Sequence, residues 1–277
     1  MAAQAEHHIA KIITKLKLRS PSPSSNEITS LLNTAQMHLM DLGALLPTAS
    51  TPPHHLALSR SLYEQAALAY LNAKDTEKFE SCVDKLYAYY FELPQDLQGD
   101  IGDRNKVLAL YLLHLSTDEK RNQKFAEEIW RLDTFGVDRK TDRYLAYADQ
   151  LHSFIQAGFY DLAWKAITGG QVPSKEFLVF APYFIERIRD GSAANAEVAY
   201  EDGISLASAK ALLRLDSEGA VVEFARSRGW PIKDGYIYPA RSTSAEGEDG
   251  DRSQSRFYWR ELLANMIEDA KQLETIV

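Results

Sequence analysis

Seven histidines and one cysteine are the side chains in this 277-residue sequence best suited to metal or nucleophilic chemistry. His7, His8, His38, His54, His55, His114 and His152 form no HExxH pattern and no local spacing that would set two imidazoles and a carboxylate around one ion. His54-His55 follows two prolines, reads as part of a loop from Thr48 to His55, and has no further ligand nearby in sequence. Cys82 shares a helical stripe with Phe79, Val83 and Leu86, which places its thiol in a core rather than at a reactive site. Gly169-Gly170 is followed by Gln171-Val172-Pro173 instead of the Lys-Ser/Thr of a phosphate loop, and reads as a helix cap with a loop. The acidic run Glu246 to Asp251 lacks the twelfth-position Glu and the flanking helices of a calcium loop. The expectation is a chain that is not an enzyme, with no catalytic residue, no cofactor and no bound metal.

A second kind of chemistry, burial of apolar surface between chains, is written into residues 257–277. Trp259, Leu263, Met266, Ala270, Leu273 and Val277 recur at alternating spacings of four and three, the seam of a coiled coil or helix bundle. Leu262, Ile267 and Ile276 widen it. The preceding stretch, Arg241 to Arg256, has Ala245 as its one apolar side chain and reads as a solvated linker. A helix hung on such a tether is expected to dock, either back on its own domain or among helices of other chains.

Composition narrows the classes further. The sequence is 45% hydrophobic and 25% charged, enough for one large or two modest globular units. A formal charge of −8 and a pI near 5.4 argue against a protein that holds phosphate backbones through Lys and Arg. One cysteine excludes an internal disulfide framework and fits a reducing compartment. With no signal-type apolar run at the N-terminus and no stretch approaching about 20 apolar residues, the expectation is a cytosolic or nuclear protein that contacts no membrane.

Helical periodicity dominates the first two thirds. Ile9, Ile12, Ile13 and Leu16 predict a first helix, and residues 27–46 a second. Three helical hairpins follow. Leu62, Tyr63, Ala66, Ala67, Tyr70 and Leu71 pair with Phe79, Cys82, Val83, Leu86 and Tyr90; Val107, Leu108, Tyr111, Leu112 and Leu115 with Phe125, Ile129 and Leu132; Tyr144, Leu145, Ala148, Leu151 and Ile155 with Tyr160, Ala163, Trp164 and Ile167. Their breaks near positions 75, 117 and 158 recur at the period of paired-helix repeat proteins.

After Gly203 the pattern changes. Ser205 to Leu215 predicts a short helix capped by Ser205, and residues 217–228 a second that stops at Gly229. Trp230-Pro231-Ile232 and Tyr236-Ile237-Tyr238 flank Asp234-Gly235, a strong hairpin signal. Helix, turn, helix and hairpin, with Ser192 to Tyr200 as the preceding helix, make a winged helix. From Ile204 to Ala240 the cations Lys210, Arg214, Arg226, Arg228 and Lys233 exceed the anions Asp216, Glu218, Glu223 and Asp234 by one charge. The second helix, which would enter a major groove, is neutral. That favours protein contact through the strands and helix ends, with Trp230, Ile232, Tyr236 and Tyr238 as candidate contact residues. A winged-helix DNA-binding protein is the alternative of another class.

A helical array running into a winged helix resembles the PCI domain shared by scaffold subunits of the proteasome lid, the signalosome and an initiation-factor complex. Asp142-Arg143-Tyr144-Leu145, Gly158-Phe159-Tyr160-Asp161-Leu162-Ala163-Trp164, Glu223-Phe224-Ala225, Arg228-Gly229-Trp230-Pro231-Ile232 and the ending Gln272-Leu273-Glu274-Thr275-Ile276-Val277 are similar to the non-ATPase regulatory subunit 8 family of the 26S proteasome regulatory particle lid. The likeness is strongest after Asp142. It implies a mainly α fold: a TPR-like helical repeat region at 1–190, the winged-helix part of a PCI domain at 191–240, a linker at 241–256 and a bundle helix at 257–277. It further implies a non-catalytic lid subunit of a hetero-oligomer, touching other PCI subunits through the winged helix and a lid helix bundle through its tail, and supporting the joining of lid to base in ubiquitin-dependent degradation. A small PCI subunit of the signalosome or of an initiation-factor complex is the alternative within the class. Pro182 departs from the family pattern, and is expected to kink or restart the helix it enters.

Overall fold

The computed structural model describes residues 2–17, 23–48, 50–94, 97, 102–200 and 202–239. The chain divides into two compact units, Met1–Gly191 and one beginning at Ser192. Mainly helical structure with a small antiparallel sheet agrees with the fold class read from the sequence. The expected linker and tail helix, 241–277, lie outside the described residues.

In the first unit, α1 (Ala2–Lys17) packs on α2 (Ser25–Asp41) and on α3 (Pro53–Asn72). Helix α2 starts at Ser25, two residues before the expected 27, because Ser24 and Glu27 form a reciprocal capping box. Glu27 Oε2 accepts the Ser24 N–H at 2.7 Å, and Ser24 Oγ accepts the Glu27 N–H. It also ends at Asp41, short of the expected 46, with Gly43 taking a left-handed φ of 63°. Helix α3 corrects a second expectation. Pro53 occupies its first turn, where its missing N–H costs nothing, so His54 and His55 are helical rather than loop residues.

The three hairpins are present. Helix α3 pairs with α4 (Thr76–Tyr87), α5 (Arg104–Ser116) with α6 (Asn122–Thr134), and α7 (Arg143–Gln156) with α8 (Tyr160–Thr168). Aspartates mark the starts: Asp75 accepts the Lys78 N–H at 3.1 Å, and Asp142 accepts the N–H groups of Tyr144 and Leu145 at 2.9 and 3.0 Å. Helix α5 differs from its expected single stripe. Lys106 to Ser116 are all buried, as befits a helix covered on every side. Two polar pairs are drawn into this core: Lys106 Nζ meets Glu176 at 3.0 Å, and the Tyr90 hydroxyl donates to Glu64 at 3.0 Å.

A 3-10 stretch, Lys175–Phe180, precedes α9 (Ala181–Ala199), so Pro182 sits in a first turn and restarts the helix as expected. No separate helix begins at Ser192. Phe184 and Ile188 of α9 belong to the first unit's core, Ala193 and Ala196 to the second's.

Candidate protein-interaction surface

The second unit is assembled from short pieces. Strand β1 (Ile204–Ser205) leads into α10 (Leu206–Leu213), and Arg214 closes that helix in the left-handed conformation. Ser217 then caps α11 (Glu218–Ser227), its Oγ accepting the Ala220 N–H at 3.1 Å. The Trp230 N–H reaches back to the Ala225 carbonyl at 2.8 Å after Gly229. Strands β2 (Ile232–Lys233) and β3 (Tyr236–Ile237) meet across Asp234-Gly235, both at positive φ, the geometry of a type I′ hairpin turn. The sheet order is β1-β3-β2, all antiparallel, with Ile237 opposite both Ile204 and Ile232. The sequence reading missed β1, because Ser205 was taken only as a cap; one residue serves as both. Gly203, at φ 91°, admits the Tyr238 ring so closely that a Cβ there would stand 2.8 Å from it.

The four residues read as winged-helix contacts divide sharply. Trp230 is a core residue, 3% exposed, and this corrects its reading as a surface contact. Its indole N–H donates to Glu197 at 3.1 Å and its ring meets Phe224 edge-on at 5.9 Å. Ile232 is half-buried against the same core, and Tyr238 is half-buried over Gly203. Tyr236 alone of the four is exposed. The tail residues Trp259, Leu262, Leu263, Met266, Ile267, Ala270, Leu273, Ile276 and Val277 lie outside the described residues.

Charge on α11 is less basic in the fold than in the sequence. Arg228 is half-buried, 3.4 Å from Glu197 and near the Phe224 and Trp230 rings, so its charge is turned inward. The exposed charges of α11 are Glu218, Glu223 and Arg226, a net −1. Such a face repels a phosphate backbone. Further apolar side chains stand exposed in the first unit without having been singled out in sequence: Met37, Met40 and Leu46 around the end of α2, and Trp130 on α6. They sit off the buried stripes, which is the signal that could have found them.

Cys82 is buried, and burial pushes its thiol up to about 12, which removes it as a nucleophile. His152 stacks on Phe125 with ring centres 3.7 Å apart, and burial lowers it to about 4. Gly169 closes α8 as expected. Among the described residues, one group could hold a metal ion: Glu6 on α1 with His54 and His55 on α3.

Residues 137–249, which span α7 to the wing, match the model of the CSN8/PSMD8/EIF3K family. Over those residues the chain is similar to this family. Its similarity to the 26S proteasome regulatory subunit RPN12 of Saccharomyces cerevisiae is 26% identity over 266 residues, covering 95% of each chain. The rpn12 regulatory subunit of Schizosaccharomyces pombe is 26% identical over 197 residues, 70% of this chain and 69% of that one. The span of the family match begins just before Asp142, where the sequence motifs are strongest.

Proposed function

We propose that this chain is a non-catalytic scaffold and assembly subunit of the 26S proteasome lid, cytoplasmic and nuclear in location. End-to-end similarity to a 26S proteasome regulatory subunit carries this reading. The winged helix, through Tyr236 and the acidic face of α11, contacts other PCI subunits, and residues 257–277 enter a helix bundle that completes the lid. The net −1 exposed charge of α11 supports a protein partner over DNA. No helix among the described residues is long and apolar enough to cross a membrane.

The test is affinity purification from cells of the full chain beside one ending at Ser255, with co-purifying proteins quantified by mass spectrometry. Proteasome lid and base should accompany the full chain and be lost from the shorter one. Recovery of signalosome or initiation-factor subunits instead, or equal recovery with both chains, overturns the proposal. Within the full chain, Leu263→Asp with Leu273→Asp should abolish incorporation while thermal unfolding stays normal, because two charges would be buried in a bundle.

A further inference from the structure

The histidine pair beside Pro53 acquires a third ligand from a helix that precedes it by almost fifty residues. Glu6 Oε1 lies 2.9 Å from His55 Nε2 and 3.5 Å from His54 Nε2, and the three candidate ligand atoms fall within 4.8 Å of one another. Zinc bound at 2.0–2.1 Å in tetrahedral geometry places its ligands about 3.3 Å apart. The two measured separations bracket that value. Pro53 sets the start of α3 so that consecutive histidines turn their rings, 4.1 Å apart, toward α1. A surface cleft of about 400 Å³, lined by Ala3, Glu6, His7, Ala10, His54 and Leu58, opens beside them and gives an ion access and room for a fourth ligand.

We propose that Glu6, His54 and His55 bind a divalent transition-metal ion of the zinc class, completed by water or by His7, and that this ion clips α1 to α3. Two imidazoles and one carboxylate select zinc, cobalt or nickel over calcium or magnesium, which prefer all-oxygen sites. Glu6 supplies the negative charge needed at a helix N-terminus, where the dipole opposes a bare cation. Binding through Nε2 moves the His55 proton to Nδ1, a buried atom with no hydrogen-bond partner. Lack of that supporting acceptor weakens metal sites by roughly 10–100-fold, so the affinity is micromolar rather than nanomolar. The ion bridges positions separated by 48 and 49 residues, so it holds the first helix against fraying without altering the repeats.

The untagged full chain should be titrated with Co²⁺, read by its visible ligand-field bands, and with Zn²⁺ by calorimetry. One ion per chain is expected, with Zn²⁺ raising Tm by roughly 5 °C at saturation. His54→Gln changes a side chain that is 66% exposed and leaves folding intact. Glu6→Gln keeps a hydrogen-bond acceptor for His55 but removes the charge. Each should weaken both metals at least tenfold and abolish the Tm response. His8→Gln and His38→Gln, whose rings pair separately at 5.1 Å, should change nothing. Absence of saturable binding below about 1 mM, or binding that survives in both site variants, overturns the proposal.

Discussion

The two units bury apolar surface by different means. The first has large rings spread through its core, among them Phe79, Tyr111, Phe180 and Phe184, and α5 is sealed all round. The second is built on Ala193, Ala196, Ala209 and Ala225 with a few aliphatic residues and one large ring, Trp230. Burial stabilises in proportion to apolar area, so the loss of one contact in the array is a small fraction of its total. In the winged unit one side chain joins α11, the wing and Glu197. An array is suited to holding shape, and a small unit with polar outer faces to presenting a surface.

The sharpest way to break this contrast is to delete one large ring from each unit. Trp230→Ala and Phe184→Ala should each cost about 3–5 kcal/mol. In the winged unit that approaches the whole stability, and Glu197 loses its indole donor as well. Limited proteolysis and hydrogen exchange should show Trp230→Ala opening the second unit while α3 to α8 stay protected. Phe184→Ala should lower Tm and leave both units folded. If Trp230→Ala leaves the wing protected, the β1-β3-β2 pairing and the Arg228–Glu197 contact hold the unit without it.

The next prediction concerns charge rather than volume. Burial raises the Glu64 carboxyl to about 7, against partial relief from Arg60 and Tyr90. The folded state therefore binds a proton that the unfolded state releases near 4.5. Stability from Glu64 is full below that value and is lost as pH rises toward 7, by roughly 3 kcal/mol. His152 has the opposite sign: lowered to about 4, it loses stability as pH falls from 6.5. The two slopes offset each other across the acid range. Glu64→Gln should remove one of them, so that urea midpoints rise steadily from pH 4.5 to 7, where the wild-type curve is flatter. An unchanged curve would mean that water reaches Glu64.

Much of this was legible in the sequence because hydrophobic period survives folding. The stripes through Leu62 and Tyr63, Phe79 and Cys82, and Leu145 and Ala148 are all buried as read. Asp234-Gly235 gave the wing through its two positive φ values. What could not be read was any feature made by distant residues. Trp230 looks like a surface aromatic until Glu197 on α9, 33 residues earlier, takes its N–H. Arg228 counts as a free cation until the same carboxylate approaches it. His54-His55 lacked a third ligand until α1 supplied Glu6. Local pattern carries the elements, and the site residues depend on pairings across 30 to 50 positions.

The smallest expected effect refines the contrast at the level of single caps. Asp142 accepts two N–H groups at the start of α7 and also takes the Asn105 amide at 2.9 Å, whereas Ser217 accepts one N–H at the start of α11. Cap removal costs about 1 kcal/mol in either case, with Asp142→Ala toward 2 because it also removes the acceptor of the Asn105 amide N–H. The larger number should nevertheless have the smaller local consequence. Asp142→Ala should shift global Tm by roughly 2–4 °C per kcal/mol without raising exchange at the α7 amides ahead of its neighbours, since the array opens together. Ser217→Ala should speed exchange in α11 about fivefold while the array is untouched, as 1 kcal/mol of local stability requires. Equal exchange in α11 and α7 after either change would mean that the second unit opens only with the first.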